Sequence, residues 1–171
     1  DCTSLTTVIF ANGIQLTSIP KEAFYNTALS GIDIPASVTN IGTSAFRRCN
    51  KLAEVNIPAT TQLTTINDYS FAECAILPSF TMPNTVTTIG AGAFYSCPLL
   101  KTVTLSNKLT TIPNETFRKC SLLNNVTIPR SVSSLGTNSF RECTSLSSIV
   151  ITNSVTAMGT SVFEDCTGLT V

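Results

Sequence analysis

A phenylalanine that recurs about every 23 residues is the feature that most constrains how this 171-residue chain can fold. The spacings between consecutive members are 22, 25, 23, 23, 23 and 23 residues. The members are Phe24, Phe46, Phe71, Phe94, Phe117, Phe140 and Phe163. A fixed period of this size predicts a solenoid, because each repeat has an apolar face that only its neighbours can cover.

Each phenylalanine belongs to a longer pattern, which reads A-F-x-x-C-x-x-L-x-x-V-x-I-P from Ala45 to Pro58. The L-x-x-V-x-I part ends in alternating apolar residues and predicts a strand, which proline ends because it has no N–H to donate. A second apolar pair, such as Val132 and Leu135, predicts another short strand, and Gly136 follows it at a bend. Phe, Cys and Leu at steps of three residues predict one or two helical turns.

Together these patterns predict an α/β solenoid of about seven 23-residue coils. A parallel sheet covers one face, and second short strands and helical turns cover the other. Insertions at Asn12-Gly13 and Thr60-Thr61 fall in turns, so we expect residues 1–171 to form a single domain. Because solenoids need polar terminal repeats and both ends of the sequence stop within a repeat, we expect a segment of a longer array.

The combined pattern resembles the BspA-type leucine-rich repeats of bacterial and protist surface proteins. The likeness covers essentially the whole chain and is strongest in Ala45 to Pro58 and Ser131 to Gly136. It implies a curved solenoid that is secreted or lies at the cell surface. The family is associated with adhesion to host proteins or other cells, so the resemblance implies a mode of action without naming a ligand.

Charge is scarce in this chain: 12% of its residues are charged, and ten Lys and Arg balance ten Asp and Glu. Without a basic field the chain has no means of capturing nucleic acid or an anionic membrane. No apolar run reaches the roughly 18 residues of a spanning helix. We therefore expect no nucleic-acid partner and no membrane insertion, and we expect the segment to be a monomer.

Catalytic chemistry finds little support in the residues. The chain has no His, which is the commonest general base, and the Ser and Thr columns have no partner that would activate them. Asp33 and Glu54 are the nearest pair of acids, and on adjacent strands of an open face we expect them to be solvated. The sequence therefore predicts a non-catalytic protein without a cofactor.

Seven cysteines occupy one column of the repeat: Cys2, Cys49, Cys74, Cys97, Cys120, Cys143 and Cys166. Stacked coils would hold their parallel side chains about 4.8 Å apart, whereas a disulfide needs Cβ atoms about 3.8 Å apart and turned toward each other. No His or C-x-x-C completes a zinc site. We expect a ladder of buried, reduced thiols, with disulfides or a metal site as the alternatives.

The outward positions of the first strand are the candidate binding surface, because they vary while the inward positions hold constant. The predicted site residues are Glu54, Asn56, Ser79, Thr81, Thr102, Thr104, Asn125 and Thr127. We expect them to bind a surface or matrix protein of a host or a neighbouring cell. The alternatives are a structural spacer without a ligand and a glycan-binding module, which would need aromatic residues on this face.

A second candidate surface follows the phenylalanine column. The two positions after each Phe hold nine of the twenty charged residues: Arg47, Arg48, Glu73, Arg118, Lys119, Arg141, Glu142, Glu164 and Asp165. This edge of mixed charge fits a solvated surface that keeps the solenoid soluble. The alternative is a docking strip for a charged partner.

Overall fold

In a computed structural model of the chain, which describes residues 2–170, the fold consists of eleven short strands. The ends of the predicted domain, Asp1 and Val171, lie outside the described residues. The strands are β1 (Ser18–Ile19), β2 (Gly31–Asp33), β3 (Asn40–Ile41), β4 (Glu54–Asn56), β5 (Thr65–Ile66), β6 (Ser79–Thr81), β7 (Thr88–Ile89), β8 (Thr102–Thr104), β9 (Thr111–Ile112), β10 (Ser134–Leu135) and β11 (Ala157–Met158). All of their pairings are parallel.

The strands form two sheets on different sides of the solenoid. The first sheet contains the L-x-x-V-x-I strands, which pair as β2–β4 and β6–β8, and a single bridge from Thr102 to Asn125 extends it. The second sheet contains the other seven strands, ordered β1–β3–β5–β7 and β9–β10–β11. These seven strands enclose six complete coils, slightly fewer than the predicted count. The second sheet is the more continuous of the two.

The core is a stack of phenylalanine rings that runs the length of the solenoid. Consecutive rings of the column have centroids 5.2–5.7 Å apart and planes within 20° of parallel. The five inner rings, Phe46 to Phe140, are completely buried. Inward residues of both sheets, such as Val38 and Leu52, pack around the stack. The repeating apolar columns are therefore the core, as the periodicity predicts.

The predicted helical turns are wrong, because no helix forms among residues 2–170. In residues 42–49 the N–H groups of Ala45 and Arg47 donate to carbonyls three residues earlier, both at 3.1 Å. The N–H groups of Ser44 and Phe46 donate instead to the following coil, at 2.9 and 2.8 Å. In an α-helix each N–H beyond the first turn donates to the carbonyl four residues earlier in the same segment. The solenoid is therefore all-β, with overlapping turns in place of helix.

These turns require left-handed backbone two residues before and two residues after each phenylalanine. Around Phe46 the residues concerned are Ser44, with φ of 55°, and Arg48, with φ of 63°. The same two positions are left-handed in all seven repeats, and Gly92 is the only glycine among them. Left-handed backbone costs each non-glycine residue roughly 1–2 kcal/mol. This cost is offset where the N–H group of the residue bonds to the next coil.

The cysteine column has a hydrogen-bonding role as well as a packing role. Six thiols are buried, and each donates to the carbonyl of the phenylalanine in the preceding coil, with Sγ to O distances of 3.0–3.2 Å. Thr27, which interrupts the column, donates its hydroxyl to the Phe24 carbonyl at 3.0 Å. Cys2 is exposed. Each buried thiol thus has a polar partner in the stack.

Replacement of a central ring should measure how much the stack contributes to stability. Phe117→Ala is expected to lower the free energy of unfolding by about 3–5 kcal/mol, the usual range for a buried aromatic residue. Chemical denaturation followed by circular dichroism gives the value, with Thr102→Ala on the exposed face as the control. A loss below about 1 kcal/mol would show that this ring is not a main part of the core.

Thiol labelling should separate the exposed cysteine from the buried ones. We expect Cys2 to react quickly with a maleimide in the native protein and the six buried thiols to react only after the chain unfolds. Mass spectrometry of protein labelled with and without denaturant counts the modified residues. Fast native labelling of Cys97 or Cys120 would contradict the burial of the column.

The buried thiols also make stability depend on alkaline pH. Burial raises the pKa of the Cys97 thiol from 9.0 to about 12, and it raises the pKa values of Cys74 and Cys120 as well. The unfolded chain loses these protons first, so their contribution is complete below pH 9 and is lost as pH rises toward 12. The midpoint of urea denaturation should therefore be lower at pH about 10.5 than at pH about 8, and Cys97→Ala should reduce this difference.

Candidate partner-binding face

All eight predicted site residues lie on the outer side of the first sheet and are exposed. Side chains alternate along each strand, so the middle residues Phe80 and Val103 are buried while their neighbours point outward. The register pairs Ser79 with Thr102 and Thr81 with Thr104. The site residues therefore form two outward columns that cross several coils.

The eight residues line two shallow grooves. The first groove has a volume of about 470 Å³ and includes Glu54, Asn56, Ser79 and Thr81, with Val55, Ile57, Pro58 and Pro83 beside them. The second groove includes Thr102, Thr104, Asn125 and Thr127, with Pro129 at its margin. The sequence predicted which residues face outward but did not reveal that they divide into two concave sites.

The first groove lies where the first sheet is interrupted, since β4 and β6 do not pair. Elsewhere the residue before the strand bonds to the preceding coil: the N–H of Ala53 donates to Ser30, and that of Lys101 donates to Pro78, both at 2.9 Å. Pro78 has no N–H and cannot make the equivalent bond to Ala53. A proline immediately before a strand was the sequence signal for this break.

Phe80 fills the core beneath the interruption. It occupies the position that Val55 and Val103 hold in the neighbouring coils. Its ring packs against Phe71 and Phe94, with centroids 5.2 and 4.8 Å apart. The larger side chain thus keeps the core filled where the backbone ladder is open.

The charged edge along the phenylalanine column is internally paired. Arg47 and Arg48 bind Glu73 at 2.6 and 2.8 Å, and Arg118 binds Glu115 at 2.7 Å. Partial burial opposes ionisation of Glu73, but hydrogen bonds from both arginines outweigh it and lower the pKa of this carboxyl. Because its charges neutralise one another, the edge fits a solvated surface better than a docking strip.

The first sheet carries two acids that lack such partners. Among residues 2–170, Asp33 and Glu54 form no ion pair with Lys or Arg. Asp33 only accepts a hydrogen bond from the amide of Asn56, at 2.9 Å. Both acids are exposed and lie on the paired strands β2 and β4. Uncompensated negative charge therefore stands beside the first groove.

The residues just before several strands of the second sheet bond their hydroxyl groups to backbone. Thr39 donates to the carbonyl of Thr17 at 3.0 Å, Thr64 to that of Thr39 at 3.1 Å, and Ser133 to that of Thr110 at 3.2 Å. These hydroxyls reinforce the stacking of the coils.

Other kinds of site find no geometric counterpart in the described part of the chain. Between residues 2 and 170, no three His, Cys, Asp or Glu side chains converge as metal ligands would. No helix over the same residues has the length and apolarity required to cross a membrane. The first sheet carries the two grooves lined by the predicted site residues, together with two acids that form no ion pair within residues 2–170.

Comparison with protein families identifies the repeat. The family model for the BspA-type leucine-rich repeat region matches six copies, over residues 1–63 and 56–170. The chain belongs to the BspA-type leucine-rich repeat family. Leucine-rich repeat domains generally bind proteins and are typically non-catalytic. A search of curated protein sequences finds no match to this BspA-type chain.

Solved structures contain the same fold. A Treponema pallidum leucine-rich repeat protein is 28% identical, with a TM-score of 0.86 over 99% of this chain and 78% of its own. A leucine-rich cell surface protein of Faecalibacterium prausnitzii is 31% identical, with a TM-score of 0.68 over 91% of this chain. The BspA-type chain spans 50% of that protein's length. The pneumococcal vaccine antigen PcpA, 21% identical over 97% of this chain and 56% of its own, shares the fold with a TM-score of 0.61.

Proposed function

We propose that this BspA-type solenoid is a non-catalytic module, secreted or displayed at the cell surface, that binds a protein partner. The outer side of its first sheet is the binding surface. The observation that carries the proposal is the set of eight exposed residues that line two grooves on this one side. A surface or matrix protein of a host or neighbouring cell is the expected partner.

Surface location is supported by the neighbours in structure. One of them is named as a cell surface protein and another as a vaccine antigen. The near absence of charge on the outward columns, together with the abundance of hydroxyl groups, suits contact with the surface of another protein. We propose that residues 1–171 act as one monomeric domain in this role.

The chemistry of the face predicts how binding would respond to salt. Most of its side chains are neutral hydroxyls and amides, and Asp33 and Glu54 are the only charged members of the outward columns. Screening by salt weakens contacts between charges and leaves neutral hydrogen bonds and apolar contacts largely unchanged. Affinity at this face should therefore change little with ionic strength, unlike binding at the charged edge.

Glycan binding has less support than protein binding. Sugar rings are commonly held against aromatic faces, and the outward columns contain no aromatic residue in residues 2–170. Their exposed apolar members are Ile9 and Val150, which are 88% and 72% exposed. If no partner binds, the chain is better interpreted as a structural spacer.

The proposed surface is tested by adding charge to its second groove. Thr102, Thr104, Asn125 and Thr127 are all exposed, so their joint replacement by Lys should preserve the fold and reduce affinity at least about tenfold, by bulk and desolvation. Biosensor measurements against a panel of purified extracellular matrix proteins would detect the loss. Circular dichroism and denaturation midpoints would verify that the variant is folded.

A charged-edge variant serves as the matched control. Replacement of Arg47, Arg48, Arg118 and Lys119 by Ala should leave affinity near the wild-type value. If this variant loses binding while the lysine variant keeps it, the edge is the site and the sheet-face proposal is wrong. If no protein in the panel binds the wild type, the spacer interpretation is favoured.

A further inference from the structure

We infer that the groove between β4 and β6 binds an extended segment of a partner protein as an added strand, with a Lys or Arg of that segment beside Glu54. The inference rests on the proposed function and states how the first sheet would hold its partner. Addition of a strand to a sheet edge is an established mode of peptide recognition, in which backbone hydrogen bonds supply affinity and side chains supply specificity.

The backbone of β4 and β6 provides the edges for such a strand. Each pairs with a neighbour on its far side only, and in residues 2–170 this is the one interruption of the first sheet between two formed strands. In the paired ladders, Ile34 donates to Asn56 at 2.8 Å and Met82 donates to Thr104 at 2.9 Å. The equivalent donor at the interruption, the N–H of Ile57, makes no bond to β6. Unpaired strand edges of this kind are templates for pairing with another chain.

The chemistry of proline keeps the interruption open. Pro78 cannot donate to the carbonyl of Ala53, so this acceptor has no partner from the following coil. An incoming strand has its own N–H groups and can supply the missing donor. The gap is therefore a place where an external backbone satisfies groups that the solenoid leaves unpaired.

The side chains around the groove select the chemistry of the occupant. Val55 and Ile57 are half-buried and offer an apolar floor, while Asn56, Ser79 and Thr81 line the groove with polar groups. Glu54 is exposed within the groove and forms no ion pair in the described residues. A basic side chain of the partner would be attracted here and an acidic one repelled, which sets the sign of the charge that the site prefers.

The test uses a synthetic peptide as the probe. Fluorescein-labelled Thr-Val-Lys-Val-Thr-Lys, acetylated and amidated, should increase in anisotropy when titrated with the protein. The same peptide N-methylated at alternate residues lacks the backbone donors along one side, and loss of about two hydrogen bonds predicts binding about tenfold weaker. A third peptide with Glu in place of both Lys should also bind more weakly, and Glu54→Gln should remove that difference.

A matched protein variant closes the groove. Pro78→Lys with Phe80→Val copies Lys101 and Val103 from the equivalent positions one coil later. It restores the missing N–H and should let β4 and β6 pair, so the peptide should no longer bind. In amide hydrogen exchange, Val55 and Ile57 should be protected in this variant without peptide, but in the wild type only when the peptide is bound. Thr111→Ala, at an exposed position of β9 on the second sheet, should leave peptide binding unchanged.

Specific results would overturn the inference. One is that the methylated and unmethylated peptides bind with equal affinity, and another is that the unmethylated peptide does not bind. A third is that the amides of Val55 and Ile57 are protected from exchange in the free wild type. The peptide controls and Glu54→Gln decide the question even if the double variant does not fold. A protein partner that is lost by the four-lysine variant but retained by the groove-closing variant would leave the proposed function standing and refute the strand-addition mode alone.

Discussion

Hydrogen bonding between successive coils is the interaction on which the rest of this solenoid depends. Backbone N–H groups that are buried must find acceptors, and around each phenylalanine from Phe24 to Phe140 every second one finds its acceptor in the next coil. This requirement imposes the left-handed residues of the turns, and it brings backbones so close that a Cβ at Gly42 would lie 2.6 Å from the Lys21 nitrogen. The phenylalanine stack and the thiol-to-carbonyl bonds then form at the same repeat distance.

Because stacking uses the inward columns and much of the second sheet, it leaves few surfaces free for function. Hydroxyls just before the strands of the second sheet, such as those of Thr39 and Thr64, are bonded to carbonyls, and charges of the edge are bonded to one another. The first sheet differs because Pro78 removes a donor and Phe80 enlarges the core beneath it. An irregular repeat within a regular array is thus what gives this face the groove between β4 and β6.

The interruption is tolerated because other contacts hold the same two coils together. On the opposite side β5 pairs with β7, joining Thr65 to Thr88 and Ile66 to Ile89, and the rings of Phe71 and Phe94 stack with centroids 5.5 Å apart. Solenoid stability is approximately a sum over neighbouring repeats, so a junction can lose one ladder and keep the others. A binding groove can therefore exist in the middle of the array without dividing it.

The sequence by itself determined the solenoid, its inward columns, its parallel strands and the outward position of residues such as Thr102 and Asn125, because burial between identical neighbours requires a fixed period. It could not decide between helix and turns, since Phe46, Cys49 and Leu52 at steps of three suit both. Only the destination of alternate N–H groups, such as that of Phe46, distinguishes them, and that acceptor lies in another coil. The first groove and the ion pair of Arg47 with Glu73 likewise join residues more than 20 positions apart, so only the tertiary structure decided them.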